Sequence, residues 1–293
     1  MIKNIPFAVF LLLTISCSAQ PFVDVLSVNH QRLKTTTTND SFTNRFSNTY
    51  LGIVLPLKVD SNNYFIVRVN GELLNSSIEG HQHHASVKLK MMMLGLGWQH
   101  NFNDKWSLTG IIMPKIASEM KDKLSHEDFM LGGYMVANYK TSPNHRYKLG
   151  LYYNREPFGN FFVPLAGADI QLNKNNWIYG QLPLYLRYEH RFNKKFYSGL
   201  GVRIFGRGYR LSSDYNRNYV FLQENQIKLF CDYYLTQNLV FYGEIGRTMG
   251  YGLRHYKNNS ERTGRLYTPS VLSPVKDGFM FNMGIVYRVR RDF

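Results

Sequence analysis

The sequence predicts an all-β fold: a transmembrane up-and-down antiparallel β-barrel of about 12 strands, with 10–14 allowed by length. Three observations predict it. Apolar and polar residues alternate with period two over long stretches. Short polar turns alternate with longer polar connections. An export-type segment opens the chain. Composition agrees with this class. The 293 residues include 21 Tyr and 20 Phe, with 15% aromatic and only 19% charged residues. A disordered chain is poorer in aromatics and richer in charge. Mean hydropathy is −0.30, and only the N-terminus carries a long apolar run, which excludes a bundle of membrane helices.

Residues 1–19 read as a signal peptide. Lys3 supplies a positive start, residues 5–15 an apolar core, and Ser16, Ser18 and Ala19 the small residues of a cleavage site. An apolar core of about 11 residues is too short to span a bilayer, which needs about 20. Cleavage after Ala19 leaves residues 20–293 as a single domain. The rival is lipidation of Cys17, against which Thr14 stands where such signals place Leu. The Ser-Ala-Gln ending resembles export signals common in Bacteroidetes. Of two cysteines only Cys231 then remains, so an internal disulfide is excluded. Cys231 reads as a packing or surface residue.

Eight strands with mixed faces are expected near 22–32, 45–58, 63–74, 86–101, 105–118, 128–140, 146–155 and 161–172. The cleanest alternation runs over 177–192. One face carries Leu182, Leu184, Leu186, Tyr188 and His190, the other Gln181, Arg187, Glu189 and Arg191. Pro183 cannot donate to a ladder and is the point at which this segment splits, if it splits. The same grammar recurs over 196–208, 219–235, 239–245 and 279–289. The count is thirteen, or fourteen with the split. Merging weak N-terminal segments gives twelve, the number adopted. Short turns stand at 103–105, 173–176, 193–195 and 237–238, flanked by Trp106, Trp177, Phe196 and Leu239. Aromatics there read as an interfacial girdle. Longer connections, 34–44, 75–85, 119–127, 212–218 and 256–277, fall at the other end.

Long strands with one apolar face suit a barrel in lipid, where closure satisfies every backbone polar group. The chain ends at Phe293 after an alternating strand. This resembles the terminal signal by which the barrel-assembly machinery recognises bacterial outer-membrane barrels, although Arg291 stands where an apolar residue is usual. Residues 150–164 and 177–188, with Trp-x5-Pro and Asn-x-Lys turns, resemble a group of uncharacterised outer-membrane β-barrel proteins from Bacteroidetes. The resemblance implies fold and outer-membrane location, and no site.

The charge is +15. Lys and Arg are scattered over strand ends and loops with no recognised module, which argues against nucleic acid. Arg187, Arg191, Arg203, Arg207, Arg288 and Arg290 lie on predicted lumenal faces. They form either a basic ring favouring anions or a network paired with Glu189, Glu224, Glu244 and Asp232. Loop charges Lys257, Arg262 and Arg265 point to lipopolysaccharide or to solvent. His81, His83 and His84, beside Glu79, are a thin metal candidate without a Cys or HExxH frame. A hydrolase needs a Ser–His pair. His190 stands near Ser198, and His126 and His145 fall in loops, but no nucleophile elbow occurs. Gly201, Gly206 and Gly208 read as bend or close-packing glycines. No cofactor is expected. The leading function is a passive pore for small anionic solutes. The alternatives are a non-conducting barrel that binds a partner or lipopolysaccharide through 34–44 and 256–277, and a membrane-embedded hydrolase.

Overall fold

Alternating side chains give each strand two faces, and their burial shows which face turns inward. The computed structural model describes residues 21–36, 42–80, 83–156, 159–250, 252–256, 270–271 and 276–290. The expected signal peptide and Phe293 lie outside the described residues, as does most of 256–277. The strands are β1 (Phe22–Thr36), β2 (Phe42–Lys58), β3 (Asn63–Gly80), β4 (His83–Asn101), β5 (Trp106–Ser118), β6 (Phe129–Ser142), β7 (His145–Glu156) and β8 (Gly159–Asn173). They continue as β9 (Asn176–Leu182), β10 (Tyr185–Arg191), β11 (Phe196–Arg210), β12 (Tyr219–Tyr234), β13 (Leu239–Thr248), β14 (Gly252–Tyr256), β15 (Ser270–Val271) and β16 (Phe279–Arg290).

From β1 to β13 each strand pairs with the next, and β16 joins β13 to β1, so the sheet closes. β14 extends β13 along β12, and β15 extends β16 beside β14. The sixteen strands therefore make fourteen staves. This corrects the expected twelve. Every N-terminal segment belongs to the wall, and the turn at Pro183 divides 177–192 into β9 and β10. The expected loop at 75–85 is mostly wall as well, because β3 reaches Gly80 and β4 starts at His83. An even number of staves puts Phe22 and Arg290 at one end, where they pair. Six connections of two to four residues lie at this end.

The turn chemistry explains the Asn-x-Lys motif. Asn103 Oδ1 accepts from the Lys105 and Trp106 amides, each at 2.9 Å. Asn193 Oδ1 does the same for Lys195 and Phe196, at 2.8 and 3.0 Å. Such side-chain caps replace ladder bonds where the chain reverses.

The outward face is apolar. Leu149 is 70% and Phe279 76% exposed, and Leu200, Leu229 and Ile245 stand out beside one another. Trp98, Phe102, Trp106 and Phe192 are exposed near the short turns. Trp177 departs from the expected girdle: its position in β9 has the parity of Tyr179, and both are buried inside.

A barrel of this size encloses more space than its wall side chains fill. Here the loop-side tip of β11 and β12 bends inward. Arg210 pairs with Ser118 of β5, and the Glu119 amide donates to the Arg210 carbonyl at 3.0 Å, although five staves separate β5 from β11. Tyr209, Val220 and Leu222 pack into a collar that includes Leu33, Phe46, Leu74 and Leu89. The back of the tip is covered by 119–128. Arg210 there meets Ser125, Asp128 and Glu127 at 2.7, 2.9 and 2.6 Å. Gly206 permits the bend to close, since a Cβ there would stand 2.3 Å from Phe221 Cζ.

Candidate lumenal site

Lumen-facing positions of a barrel are polar when the outside is apolar. Below the inward tip they enclose a cavity of about 620 Å³. Its roof is a buried network centred on Glu72 of β3. Glu72 accepts from Tyr209 Oη at 2.8 Å and Asn48 Nδ2 at 2.5 Å, and pairs with Arg207 at 2.8 Å. Arg207 also donates to Tyr209 Oη at 2.8 Å and reaches Glu224 at 3.4 Å. Glu224 in turn accepts from Gln31 and Gln226. A second latch is Glu156 of β7, which accepts from the Gly208 amide at 2.7 Å and pairs with Lys115 at 2.5 Å.

Towards the short turns Asp232 takes Arg187 at 2.7 Å and Arg288 at 2.6 Å, and Arg288 also meets Asp24 at 2.6 Å. Arg290 pairs with Glu189, donates to Tyr234 at 3.1 Å and lies 4.1 Å from the Tyr197 ring centroid. Phe22, Trp177, Tyr179 and Tyr197 complete this layer. Lys228 pairs with Glu244 at 2.7 Å.

Among the described residues seven cationic side chains line the cavity, and five of them are in the ion pairs just given. The other two are Arg68 of β3 and Arg203 of β11. Neither has a carboxylate in contact among the described residues. Arg68 Nε is buried without a hydrogen-bond partner. The Arg203 guanidinium lies 4.2 Å over the Phe205 ring. Arg203 is exposed and Arg68 half-buried, and cations that face a cavity without a carboxylate beside them attract anions.

All six arginines read from the sequence occupy lumen-facing positions, but they do not form a ring. Arg187, Arg207, Arg288 and Arg290 belong to the paired network, with all four of the carboxylates expected for it holding a cation. Arg191 stands at the short-turn end of β10, outside the cavity lining. Arg203 alone of the six is a cavity cation without a carboxylate. Arg68 is not among the sequence candidates, because 63–74 reads as a strand with mixed faces. The signal was present: Ile66, Arg68, Asn70 and Glu72 share one face, with Val67, Val69 and Leu73 on the other.

Among the described residues no histidine lines this cavity. His190 points outward and bonds Asn176 at 2.7 Å, while Ser198, opposite it, donates to the Phe230 carbonyl at 2.6 Å. His81 and the side chains of His83 and His84 lie outside the described residues. Cys231 is exposed on the outward face of β12.

Several solved structures resemble this fold at low identity. The KdgM porin in complex with disordered oligogalacturonate is 9% identical, with a TM-score of 0.37 covering 89% of this chain and 98% of that one. The TodX monoaromatic hydrocarbon channel, as a deletion mutant, is 9% identical with a TM-score of 0.42, covering 91% and 89%. The translocator domain of autotransporter NalP from Neisseria meningitidis is 9% identical with a TM-score of 0.39, covering 90% and 88%. At scores this low the likeness carries no function across. No curated protein matches this sequence. A family model matches residues 23–288, from the first strand to the last. The chain belongs to the family described as Domain of unknown function (DUF6268).

Proposed function

We propose that this chain is an outer-membrane barrel that admits a small anionic solute to its lumenal cavity, with the β11–β12 tip as a closable cap. Export after cleavage behind Ala19 delivers it to the envelope. The apolar outward face and the aromatics near the short turns support the membrane location. No helix among the described residues is long and apolar enough to cross a membrane. The observation that carries the functional reading is the pair Arg68 and Arg203. They are the cavity cations that the wall does not compensate. The docked tip narrows the simpler expectation of a passive pore to a passage that conducts when the cap leaves. Lipopolysaccharide contact through loop lysines and arginines, and insertion by the assembly machinery through a strand ending at Phe293, belong to the same proposal.

Planar bilayers test it. The protein is expected to conduct rarely, and its openings to prefer chloride over potassium in a salt gradient. Arg68→Ala combined with Arg203→Ala moves the reversal potential towards zero. Cation preference in the wild type, or unchanged selectivity in the double variant, overturns the reading.

A further inference from the structure

We infer that the cavity opens sideways into the apolar band, between β8 and β11, and that its ligand is an anionic amphiphile whose hydrocarbon tail uses this slot. The inference rests on the anion reading above and names the ligand class. β9 and β10 have seven residues each, whereas β8 and β11, which flank them, have 15 each. β8 pairs with β9 only from Ala166 on, so among the described residues Gly159–Leu165 has a strand partner on the β7 side alone. β11 pairs with β10 only up to Arg203, with one more bond from the Ile204 amide to the Leu184 carbonyl at 2.9 Å. Above that level the tip of β11 has turned inward, and the wall is notched.

The cavity reaches this edge of the wall at β10 and β11. Its lining includes Arg187, Arg203 and Phe205 from the inward face of β10 and β11. It also includes Leu186, Val202 and Ile204 from the outward face of the same strands. β2 to β7, β12, β13 and β16 each contribute residues of one parity to this lining, so the mixed parity of β10 and β11 sets them apart as the edge of the wall. Leu184, at the crest of the β9–β10 turn, lies in the same lining. The notch stands at lipid depth. Seven strand residues at about 3.3 Å each, tilted about 40°, climb roughly 18 Å, short of an apolar band of about 25 Å. Free backbone groups at this depth persist where they border a cavity and not where they meet bare lipid. A bare guanidinium pair inside and an apolar sill outside together select a negative head with a greasy tail. A small hydrophilic anion gains nothing from the sill, and a neutral hydrocarbon gains nothing from Arg68 and Arg203.

The experiment uses the mature protein in phosphatidylcholine liposomes with dodecanoate carrying a terminal diazirine. Photolabel is expected on 184–186 and 202–204, and competition by dodecanoate but not by dodecyltrimethylammonium. Label spread evenly around the outward strands overturns the inference. Substituting Leu186→Trp with Ile204→Trp is expected to weaken dodecanoate binding at least tenfold. A cold SDS gel shift confirms that the variant barrel is folded, and unchanged dodecanoate affinity in that folded variant overturns the inference. If Arg68→Ala with Arg203→Ala leaves chloride selectivity untouched, the anion reading itself fails. If selectivity is lost but labelling avoids the notch, only the lateral route fails. Phosphatidylglycerol replacing phosphatidylcholine separates the two sources of this chemistry. Displacement of the probe assigns the site to a bilayer lipid and retention to the free acid, and both support an anionic amphiphile.

Discussion

Glu72→Ala is the sharpest probe of the cap, because Glu72 belongs to the β3 wall and not to the tip it holds. The carboxylate serves Arg207, Tyr209 and Asn48, and it is 5% exposed. Removing one partner of a buried ion pair costs about 3–5 kcal/mol, since the other charge is stranded. Arg207 keeps Glu224 at 3.4 Å, so the lower end applies. When the tip leaves, Arg207 and Tyr209 regain water, and the substitution costs little in that state. The docked tip therefore loses about 3 kcal/mol against the undocked one, roughly a hundredfold in their ratio. Single-channel recording in planar bilayers reads this as a rise of about two decades in open probability. Glu79→Ala serves as the control on the same strand. Its pair with Arg45, at 3.1 Å, is exposed, and such pairs contribute at most about 1 kcal/mol. A folded Glu72→Ala barrel as silent as wild type, with proteolysis at 211–218 equally slow, refutes the account of the tip as a cap.

Further predictions follow from packing and charge. Gly206→Val places a side chain where Phe221 already stands, so the tip is expected to undock and 211–218 to become protease-sensitive with the wall intact. Leu229→Arg puts a charge on the outward face of β12, half exposed between Leu200 and Ile245. It is expected to cost about 2–4 kcal/mol of folding in liposomes, against under 0.5 kcal/mol if that face met water. In the β2–β3 turn, the Asn62 amide and the Asn63 side chain hold the Asp60 carboxyl below its usual value. A depressed carboxylate supports the turn above its unfolded pKa and loses that support as pH falls through the folded one. Amide exchange at Asn62 and Asn63 is thus expected to quicken in strong acid, and Asp60→Asn to remove that step.

The wall was legible where one face is greasy throughout. Leu182, Leu186 and Tyr188 outside against Arg187 and Glu189 inside is the alternation the sequence displays. Phe279, Phe281, Met283 and Ile285 repeat it on the last strand. The stave number was less legible, because Pro183 interrupts a ladder without interrupting the alternation. The N-terminal strands looked mixed because their inward faces carry Ile66, Leu74, Leu89 and Met113, which face other side chains inside the lumen. The inward tip left only a faint trace. Gly206 read as a close-packing glycine, and it is one. Nothing local marks Arg207, Tyr209 and Arg210 as buried, since their partners Glu72 and Asp128 are distant in the chain.

The seam between β1 and β16 has a consequence for biogenesis. It joins Phe22 to Arg290 and is riveted by Arg288 on Asp24 at 2.6 Å. The cylinder therefore cannot be finished from a partial chain. A product that lacks residues 279–293 retains two raw borders, one on β1 and one on β13, each able to recruit a stranger's strand. Truncation is expected to yield intermolecular aggregates and not a narrower barrel.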